Sequence, residues 1–380
     1  MFHKLKLCIV AHNSYGAMKG GHAGHAGGVE HQTSMTARWF AGRGHTVSLL
    51  TWDEGGEQEQ IIDGVKLFSL CSRGEGLKGL RFFYPRWSSL IKAMARADAD
   101  IYYHNGAEYV TGQIALWCRN YNRRFVFSVA SDMDCRLDSP DTQKLYVRYL
   151  YRYGLRKADR IIVQTENQKN ILLENYGLQS LILPMPCLCP LDSENRTSYL
   201  SQHKKRVLWV GRIDREKRLE LLLEVAEAMP DVIFDVAGKP SDPESPYSID
   251  VLDKASKYSN VIVHGLVPRS RMADLYRNAS ILCCTSLYEG FPNVFLEAWS
   301  CGIPIVSTFD PDNLIEEKKL GVRVHDSTEL ILNLRDLLGS DSKYRSLSQN
   351  ARQYYEDNHE LNRAMMKFEK LYYDLKGAQG

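Results

Sequence analysis

The sequence predicts an α/β protein with two doubly wound domains, and three observations lead to that prediction. The chain has 380 residues, of which 44% are hydrophobic and 25% charged, a composition typical of globular proteins. This length corresponds to two domains of roughly 100 to 200 residues each. Strand-like apolar runs alternate with helix-like segments in both halves, as in parallel sheets covered by helices. We expect the domains to face a central cleft, because ligands bind at the carboxyl ends of such strands.

The N-terminal domain is predicted to span residues 1–185 and to begin with a β-α-β unit. Residues 5–11 form a continuous apolar run typical of a buried strand, and a second such strand covers 46–52. The helix between them is indicated by four residues at helical spacing: Val29, Thr33, Thr36 and Phe40. Further strands are predicted at 99–104, 124–130 and 160–165.

Residues 186–204 are predicted to be an interdomain linker, because this part of the chain combines prolines with a polar, charged run. The C-terminal domain, residues 205–355, then repeats the alternation of strands and helices. Its predicted strands are 207–210, 232–237, 261–264, 281–285 and 303–307, and its predicted helices are 219–229, 272–278 and 293–300. Residues 356–380 are predicted to form a helix that crosses back to the N-terminal domain.

Charge and cysteine content exclude several classes of protein. The formal net charge of +2 is too small to indicate a nucleic-acid partner, although residues 1–190 hold 23 Lys and Arg against 17 Asp and Glu. No early apolar run has the length of a signal peptide, and no window approaches the roughly 18 apolar residues of a spanning helix. The nine cysteines show neither zinc-ligand nor disulfide spacing. We therefore expect a cytoplasmic protein with free, buried thiols.

The most specific motif is TSLYEGFPNVFLEAWSCGIPIVST, residues 285–308. A strand ends near its start, Pro292 suits the first turn of a helix, and Gly302 ends that helix. The first N–H groups of a helix lack intrahelical partners and attract anions such as phosphate. Glu289 precedes the helix and Glu297 lies inside it, so both are suited to accept hydrogen bonds from the hydroxyls of a nucleotide sugar. The alternative is a pair of ordinary surface and helix glutamates.

Arg212 and Lys217 form a second candidate group, in the segment GRIDREK. They come directly after the predicted strand 207–210, at a carboxyl end, where a guanidinium and an ammonium both favour phosphate oxygens. The alternative is a solvated charge run on a loop.

The segment before the first predicted helix is rich in glycine and histidine. Five glycines allow close approach of the backbone to a phosphate: Gly20, Gly21, Gly24, Gly27 and Gly28. Four histidines in and around them have neither the spacing nor the carboxylate partner of a metal site: His12, His22, His25 and His31.

Three Asp-x-Asp pairs are present, whereas chance gives about 1.5 in a chain of this composition, so their number is little evidence of function. The pair formed by Asp132 and Asp134 follows a predicted strand, where such a pair can hold a divalent metal against a diphosphate. We expect Asp132 on the acceptor side of the site, with no metal.

Two segments in the basic half, 77–87 and 119–125, mix aromatic and basic side chains. Such mixtures can lie at an anionic membrane interface, which predicts peripheral contact with the inner face of the membrane. Six basic residues are the candidates: Lys78, Arg81, Arg86, Arg119, Arg123 and Arg124. The alternative is an ordinary surface whose aromatic side chains face the core.

In these motifs the chain resembles the retaining glycosyltransferases of family 4, of the bacterial surface-polysaccharide type. The matching segments are GGVE at 27–30, GRIDREK at 211–217, the glycine of DVAGK at Gly238, VIVHGLVP at 261–268 and EGFPNVFLE at 289–297. The resemblance implies the B-type glycosyltransferase fold (GT-B), which consists of two Rossmann-like domains.

The resemblance also implies a role for each matching residue. Arg212 and Lys217 would hold the donor diphosphate, Glu289 the donor sugar hydroxyls and Glu297 the ribose. Backbone amides would support the sugar and the phosphate along one segment: Gly290, Phe291, Pro292, Asn293 and Val294. The loop with Gly27 and Gly28 would close over the phosphate, and Val267 would face the base.

The chain departs from the family pattern at one position that matters for the chemistry. Many members carry a histidine near the reacting sugar carbon, where this chain has Ser131 followed by Asp132. Both residues, together with His104, are the acceptor-side candidates. By resemblance, the acceptor attacks on the face that the nucleotide leaves, and the configuration is retained.

The predicted partners are a UDP- or GDP-linked sugar and a glycan or lipid-linked acceptor, with no cofactor. Two other classes remain open. A noncatalytic nucleotide-sugar binder, or an epimerase of the same fold, would keep the donor site without an acceptor site. A nicotinamide-dependent oxidoreductase would also use Rossmann domains, but it needs a clean glycine fingerprint, which is absent from this sequence.

Overall fold

A computed structural model describes residues 4–20, 27–137, 139, 142, 144–191 and 205–377. The chain divides into two compact units. Unit 1 comprises Met1–Pro186 and Ala364–Gly380, and unit 2 comprises Cys187–Arg363. Gly21, His22, Gly24 and His25, and most of the predicted linker, lie outside the described residues.

Unit 1 is built on an eight-stranded sheet in the order β3-β4-β2-β1-β5-β6-β7-β8. The strands are β1 Lys6–Val10, β2 Thr46–Thr51, β3 Glu59–Ile62, β4 Val65–Ser69, β5 Ile101–Asn105, β6 Arg124–Ser128, β7 Arg160–Val163 and β8 Leu181–Ile182. Neighbouring strands are parallel except β3 and β4, which form an antiparallel hairpin. The inner strands are buried on both faces, which explains why they are continuous apolar runs in the sequence.

Helices cover the sheet of unit 1. They are α1 Tyr15–Met18, α2 Gly28–Gly42, α3 Ser88–Ala97, α4 Val110–Asn120, α5 Leu145–Lys157 and α6 Glu166–Tyr176, together with the last helix of the chain, α14 Leu361–Gly377. The predicted first helix is confirmed as α2, which buries Thr33, Thr36 and Phe40, although Val29 is exposed.

Unit 2 is a six-stranded, all-parallel sheet in the order β11-β10-β9-β12-β13-β14. Its strands are β9 Arg206–Val210, β10 Ile233–Ala237, β11 Val261–Gly265, β12 Ile281–Cys284, β13 Ile305–Ser307 and β14 Gly321–Arg323. Its helices are α7 Leu219–Ala228, α8 Pro246–Ser256, α9 Arg269–Asn278, α10 Asn293–Ser300, α11 Leu314–Glu317, α12 Ser327–Gly339 and α13 Asp341–Asn358. The strand order reverses direction between β9 and β12, and this topological switch point is where doubly wound sheets bind ligands.

The C-terminal segment differs from its predicted boundaries. The helix that packs on unit 1 begins at Leu361 rather than residue 356. The helical conformation is interrupted at His359 and Glu360, which separate α13 from α14. There the backbone N–H of Cys187 donates to the carbonyl of His359 at 2.9 Å. Residues 187–191, predicted as linker, are therefore part of unit 2.

The packing of α14 onto unit 1 rests on a small polar cluster and an apolar contact. Glu369 accepts hydrogen bonds from Arg43, and one of its carboxylate oxygens lies 2.8 Å from Nε2 of His45. The Tyr372 ring stacks on Phe40 of α2 at 5.4 Å. These contacts join the end of the chain to its first β-α-β unit.

The nine cysteines are all free, and eight are buried, as the sequence predicts. Among the described helices, none is both long and apolar enough to cross a bilayer.

Candidate functional site

The candidate site of unit 2 lies at the carboxyl edge of its sheet. Strands β9 and β12 are adjacent and parallel, so their carboxyl ends emerge side by side. The loop after β9 carries Arg212 and Lys217, and the loop after β12 carries Glu289. The two motifs that the sequence singles out separately therefore meet at the switch point.

Lys217 and Glu289 form a direct ion pair, in which Nζ of Lys217 contacts Oε1 of Glu289. The Ser286 hydroxyl donates to the same oxygen at 2.7 Å. Both charged side chains are mostly buried, with 15% and 18% of their surface exposed. Burial weakens the competition from water, so charge interactions at this position are stronger than at the protein surface.

A chain of hydrogen bonds fixes the position of Lys217. Trp209 at the end of β9 donates from Nε1 to Oγ1 of Thr285 at 3.0 Å, and Thr285 donates in turn to the carbonyl of Lys217 at 2.6 Å. Arg218, in the left-handed region at φ 47°, donates from Nε to the carbonyl of Thr285 at 2.8 Å. The two loops are thereby fixed to each other before any ligand binds.

Arg212 lies in the same loop but faces solvent, with 63% of its side chain exposed. Its guanidinium donates to Glu216 at 2.7 Å and approaches Asp214 at 3.5 Å. Because these partners are also solvent-accessible, exchanging them for phosphate oxygens costs little.

Gly238 follows β10 at the same edge of the sheet, at φ 147°. A Cβ at this position would lie 1.7 Å from the carbonyl oxygen of Gly211. Only glycine allows the chain after β10 to pass this close to the loop that carries Arg212.

The helix after Glu289 is α10, and its first turn contains no acidic residue. Phe291 and Pro292, immediately before it, are buried, whereas Asn293 and Val294 at its start are half-buried. The carboxylate of Glu297 within α10 is almost fully buried. The predicted anion site is therefore a partly accessible helix start with one carboxylate before it and one inside it.

Glu297 is held by two residues that the sequence analysis did not identify. The Tyr276 hydroxyl donates to Oε2 at 2.6 Å, and the Arg269 guanidinium lies 2.6 Å from Oε1. Burial and the neighbouring Glu297 carboxylate raise the pKa of Tyr276 well above its ordinary value, so the phenol remains a donor. Each carboxylate oxygen can accept a second hydrogen bond.

The remaining donor-side candidates lie in a loop and at the start of a helix. Val267 is half-buried in the loop between β11 and α9, two residues before Arg269. Gly27 caps the start of α2 in unit 1 and Gly28 is its first residue.

In unit 1, the acceptor-side candidate His104 lies within β5, whereas Ser131 and Asp132 follow β6. His104 is 2% exposed, and its Nδ1 lies 2.8 Å from the carbonyl oxygen of Val10, so it is a core residue rather than a surface contact. Burial lowers the pKa of His104 and keeps the ring neutral. Ser131 is half-buried at the carboxyl end of β6.

The Asp132 and Asp134 carboxylates are both engaged within unit 1. Asp132 accepts from the side-chain amides of Asn167 at 2.9 Å and Gln168 at 3.1 Å. Asp134 accepts from the backbone N–H groups of Ala130 and Ser131 and caps the turn. Within the described ranges, no three His, Cys, Asp or Glu side chains gather as a metal site requires.

A further pair at the carboxyl edge of unit 1 was missed by the sequence analysis. Nδ1 of His12 lies 3.2 Å from Oε2 of Glu108, and the His12 ring stacks on Trp52 at 4.1 Å. Burial opposes ionisation of Glu108, but the hydrogen bond from His12 and the nearby charges lower its pKa to about 2. The signal in the sequence is that His12 directly follows the first predicted strand and Trp52 is the last residue of the second.

Family models match both halves of the chain. Residues 26–184 match the model described as Glycosyltransferase Family 4, and residues 192–354 match the model described as Glycosyl transferases group 1. An uncharacterized glycosyltransferase of Haemophilus influenzae is 24% identical over 88% of this chain and 93% of its own. The amylovoran biosynthesis glycosyltransferase AmsD of Erwinia amylovora is 25% identical over 57% of this chain and 63% of its own length.

Solved structures share the fold. Sucrose-phosphate synthase from Thermosynechococcus elongatus has a TM-score of 0.77 and 18% identity, covering 98% of this chain and 99% of its own. The Anabaena protein HepE, solved in complex with UDP-glucose, has a TM-score of 0.75 and 14% identity, covering 97% and 99%.

Proposed function

The chain consists of a glycosyltransferase family 4 domain followed by a glycosyl transferases group 1 domain, and on that premise we propose that it is a retaining glycosyltransferase of cell-surface polysaccharide biosynthesis. It moves a sugar from a UDP- or GDP-linked donor to a glycan or lipid-linked acceptor on the cytoplasmic side. The Erwinia relative, named for amylovoran biosynthesis, supports the polysaccharide, and the UDP-glucose bound to HepE supports the donor.

The observation that carries the proposal is the buried contact between Lys217 and Glu289 at the switch point of unit 2. A cation alone would fit any anionic ligand, and a carboxylate alone would fit any ligand with several hydroxyl groups. A nucleotide sugar carries both a diphosphate and sugar hydroxyls in one molecule. When it binds, Lys217 exchanges Glu289 for a phosphate oxygen, and the freed carboxylate accepts hydrogen bonds from the sugar.

The proposed reaction breaks the bond between the anomeric carbon and the phosphate oxygen. Negative charge develops on the leaving diphosphate, where Arg212, Lys217 and the N–H groups at the start of α10 stabilise it. The acceptor oxygen bonds to the anomeric carbon on the same face. Its proton passes to the leaving phosphate oxygen, so no carboxylate is required as a base and the configuration is retained.

The other residues complete the proposed division of roles. Glu297 binds the ribose through its remaining acceptor capacity, Val267 faces the base, and Gly238 leaves room for the backbone beside the phosphate. Unit 1 binds the acceptor, with Ser131 and Asp132 as its candidate contacts.

The stereochemistry of the product tests the mechanism. We expect the anomeric proton of the product, observed by NMR immediately after transfer, to show the same configuration as the donor. An inverted product would rule out same-face attack, and release of the free sugar with no acceptor dependence would favour a donor binder or an epimerase.

Substitutions at the two glutamates test their division of roles. We expect Glu297→Gln to weaken binding of the bare nucleoside diphosphate by about tenfold, since it replaces a charged hydrogen-bond acceptor with a neutral one. Glu289→Gln leaves that binding intact, because it frees Lys217 from its ion pair, but it impairs transfer. Calorimetry with the nucleoside diphosphate measures the binding affinity of both variants. Glutamine retains the side-chain volume, so folding is preserved, and equal losses in the two variants would contradict the assignment.

The effect of a chelator tests the predicted metal independence. We expect a chelator to leave most of the transfer activity in place, because two cations and a helix start already offset the diphosphate charge. Activity is compared before and after exhaustive chelation, with magnesium or manganese added back. Abolition followed by rescue would make Asp132 and Asp134 metal ligands and would require their present hydrogen bonds to be exchanged.

A further inference from the structure

One surface of unit 1 exposes large apolar side chains in two neighbouring segments, and we call it the basic aromatic face. It consists of residues 77–84, before α3, and the first two turns of α5. The side chains are 61% to 74% exposed: Leu77, Leu80, Phe83, Tyr84, Leu145 and Tyr149. The segments are contiguous, because the Phe82 ring lies 5.3 Å from that of Tyr146 on α5. Monomeric proteins rarely leave such a patch uncovered.

The two segments, together with the rest of helices α3 and α5, carry charge of one sign. From residue 77 to the end of α3 at residue 97 the chain holds five basic residues and no acidic one, and from Lys144 to the end of α5 at Lys157 it holds another five and no acidic one. The whole chain, by contrast, has 48 basic and 46 acidic residues. Lys78, Arg81, Lys144 and Arg148 form no ion pair with any described residue. The face is therefore both apolar and cationic.

The structure corrects which basic residues belong to this surface. Arg123 and Arg124, candidates from the sequence, are paired with Asp98 at 2.6 Å and Asp159 at 2.9 Å. These carboxylates compensate both charges, and Arg119 is then the exposed basic candidate of the segment 119–125 outside the two pairs. Helix α5 supplies more basic residues than this segment, although the sequence analysis did not single it out.

The chemistry of the face distinguishes between partners. A nucleic acid or a soluble acidic polymer would neutralise the lysines and arginines but leave the leucines in water. An apolar protein groove would bury the leucines but not the charges. The surface of an anionic bilayer does both, because its headgroups attract the cations while aromatic and aliphatic side chains enter the boundary between headgroups and acyl chains.

We propose that the basic aromatic face docks unit 1 reversibly on an anionic membrane surface, with the leucine and aromatic side chains inserted and the lysine and arginine side chains at the headgroups. This docking is separate from the transfer chemistry, and it holds whichever sugar the protein moves. It would place the unit that binds the acceptor where lipid-linked acceptors are found.

Co-sedimentation with vesicles tests the proposal on the full chain. We expect binding to vesicles that contain phosphatidylglycerol, weakened by salt, and little binding to phosphatidylcholine alone. The variant Lys78→Gln/Arg81→Gln/Lys144→Gln should lower the affinity by roughly 100-fold. The matched control, Lys254→Gln/Lys257→Gln/Lys318→Gln on unit 2, removes the same charge and should bind as the unaltered protein does.

A second variant, Leu80→Ser/Phe83→Ser, tests insertion separately from charge and should also lose binding. Nucleoside diphosphate binding and Tm report folding, and both should be unchanged in every variant. Equal binding to the two kinds of vesicle, no binding at low salt, or an equal loss in the unit 2 control would each overturn the proposal. Full binding by the serine variant would also overturn it and would indicate a soluble polyanion as the partner.

Discussion

Replacing Lys217 with alanine is expected to slow sugar transfer by about 10²- to 10³-fold at saturating donor, as for the loss of other preorganised charge-stabilising donors. In the proposed reaction Lys217 stabilises the leaving diphosphate, and its side chain is only 15% exposed, so no solvent molecule would reproduce its charge. The substitution also leaves the mostly buried Glu289 carboxylate with the hydrogen bond from Ser286 but without its ion pair. The double variant Lys217→Ala/Glu289→Gln removes that uncompensated charge, and it should be as slow as the single variant.

The matched control is Lys205→Ala. Lys205 forms a solvent-exposed ion pair with Asp231 at 2.6 Å, and it lies at the amino end of β9 and not at its carboxyl end. Transfer by this variant should equal that of the unaltered protein. Near-full turnover by Lys217→Ala would show that Lys217 does not stabilise the leaving group.

Replacing Gly238 with alanine is expected to destabilise unit 2 by about 3 to 5 kcal/mol, near the upper limit for a single substitution. The new Cβ would stand 1.7 Å from a backbone oxygen, at a φ that residues with side chains rarely adopt. Either β9 and β10 separate at their carboxyl ends or the loop with Arg212 moves. Denaturant unfolding measures the loss of stability, and calorimetry measures the accompanying loss of nucleotide affinity.

Gly42→Ala is the control for this substitution. Gly42 lies at the end of helix α2, where an added Cβ would meet no atom within 4 Å. Alanine is the better helix former, so stability should rise slightly or stay constant. If Gly238→Ala unfolded at the same denaturant concentration as the unaltered protein, the close approach between Gly211 and Gly238 would not be required.

Much of the fold can be predicted from the sequence because the central strands are buried on both faces. Residues 5–11, 46–52 and 124–130 are continuous apolar runs for this reason, and all three are strands. The β3–β4 hairpin was missed because Glu59–Ile62 is only partly buried and shows no clear pattern. Its turn did leave a signal, since Asp63 and Gly64 both have positive φ, as a tight hairpin with Asp-Gly requires.

In the site, too, the sequence pattern predicts the residues that follow strands but not the contacts that depend on how helices pack. Lys217 and Glu289 could be predicted to lie close together, because each follows a strand whose carboxyl end is at the switch point. Arg269 and Tyr276 could not be predicted, since their contact with Glu297 depends on how α9 packs beside α10. His104 lies inside β5 near its carboxyl end, and its side chain turns into the core.

Donor turnover is the most direct test of the central claim that unit 2 holds a nucleotide sugar by its diphosphate and unit 1 supplies the acceptor. Release of nucleoside diphosphate is measured with a panel of UDP- and GDP-linked sugars, with and without glycan and lipid extracts. We predict acceptor-dependent release by the unaltered protein, and a loss of about 10²-fold or more in Arg212→Ala and Lys217→Ala. Equal release by the two variants and the unaltered protein, or no binding of any nucleotide sugar, would contradict the account.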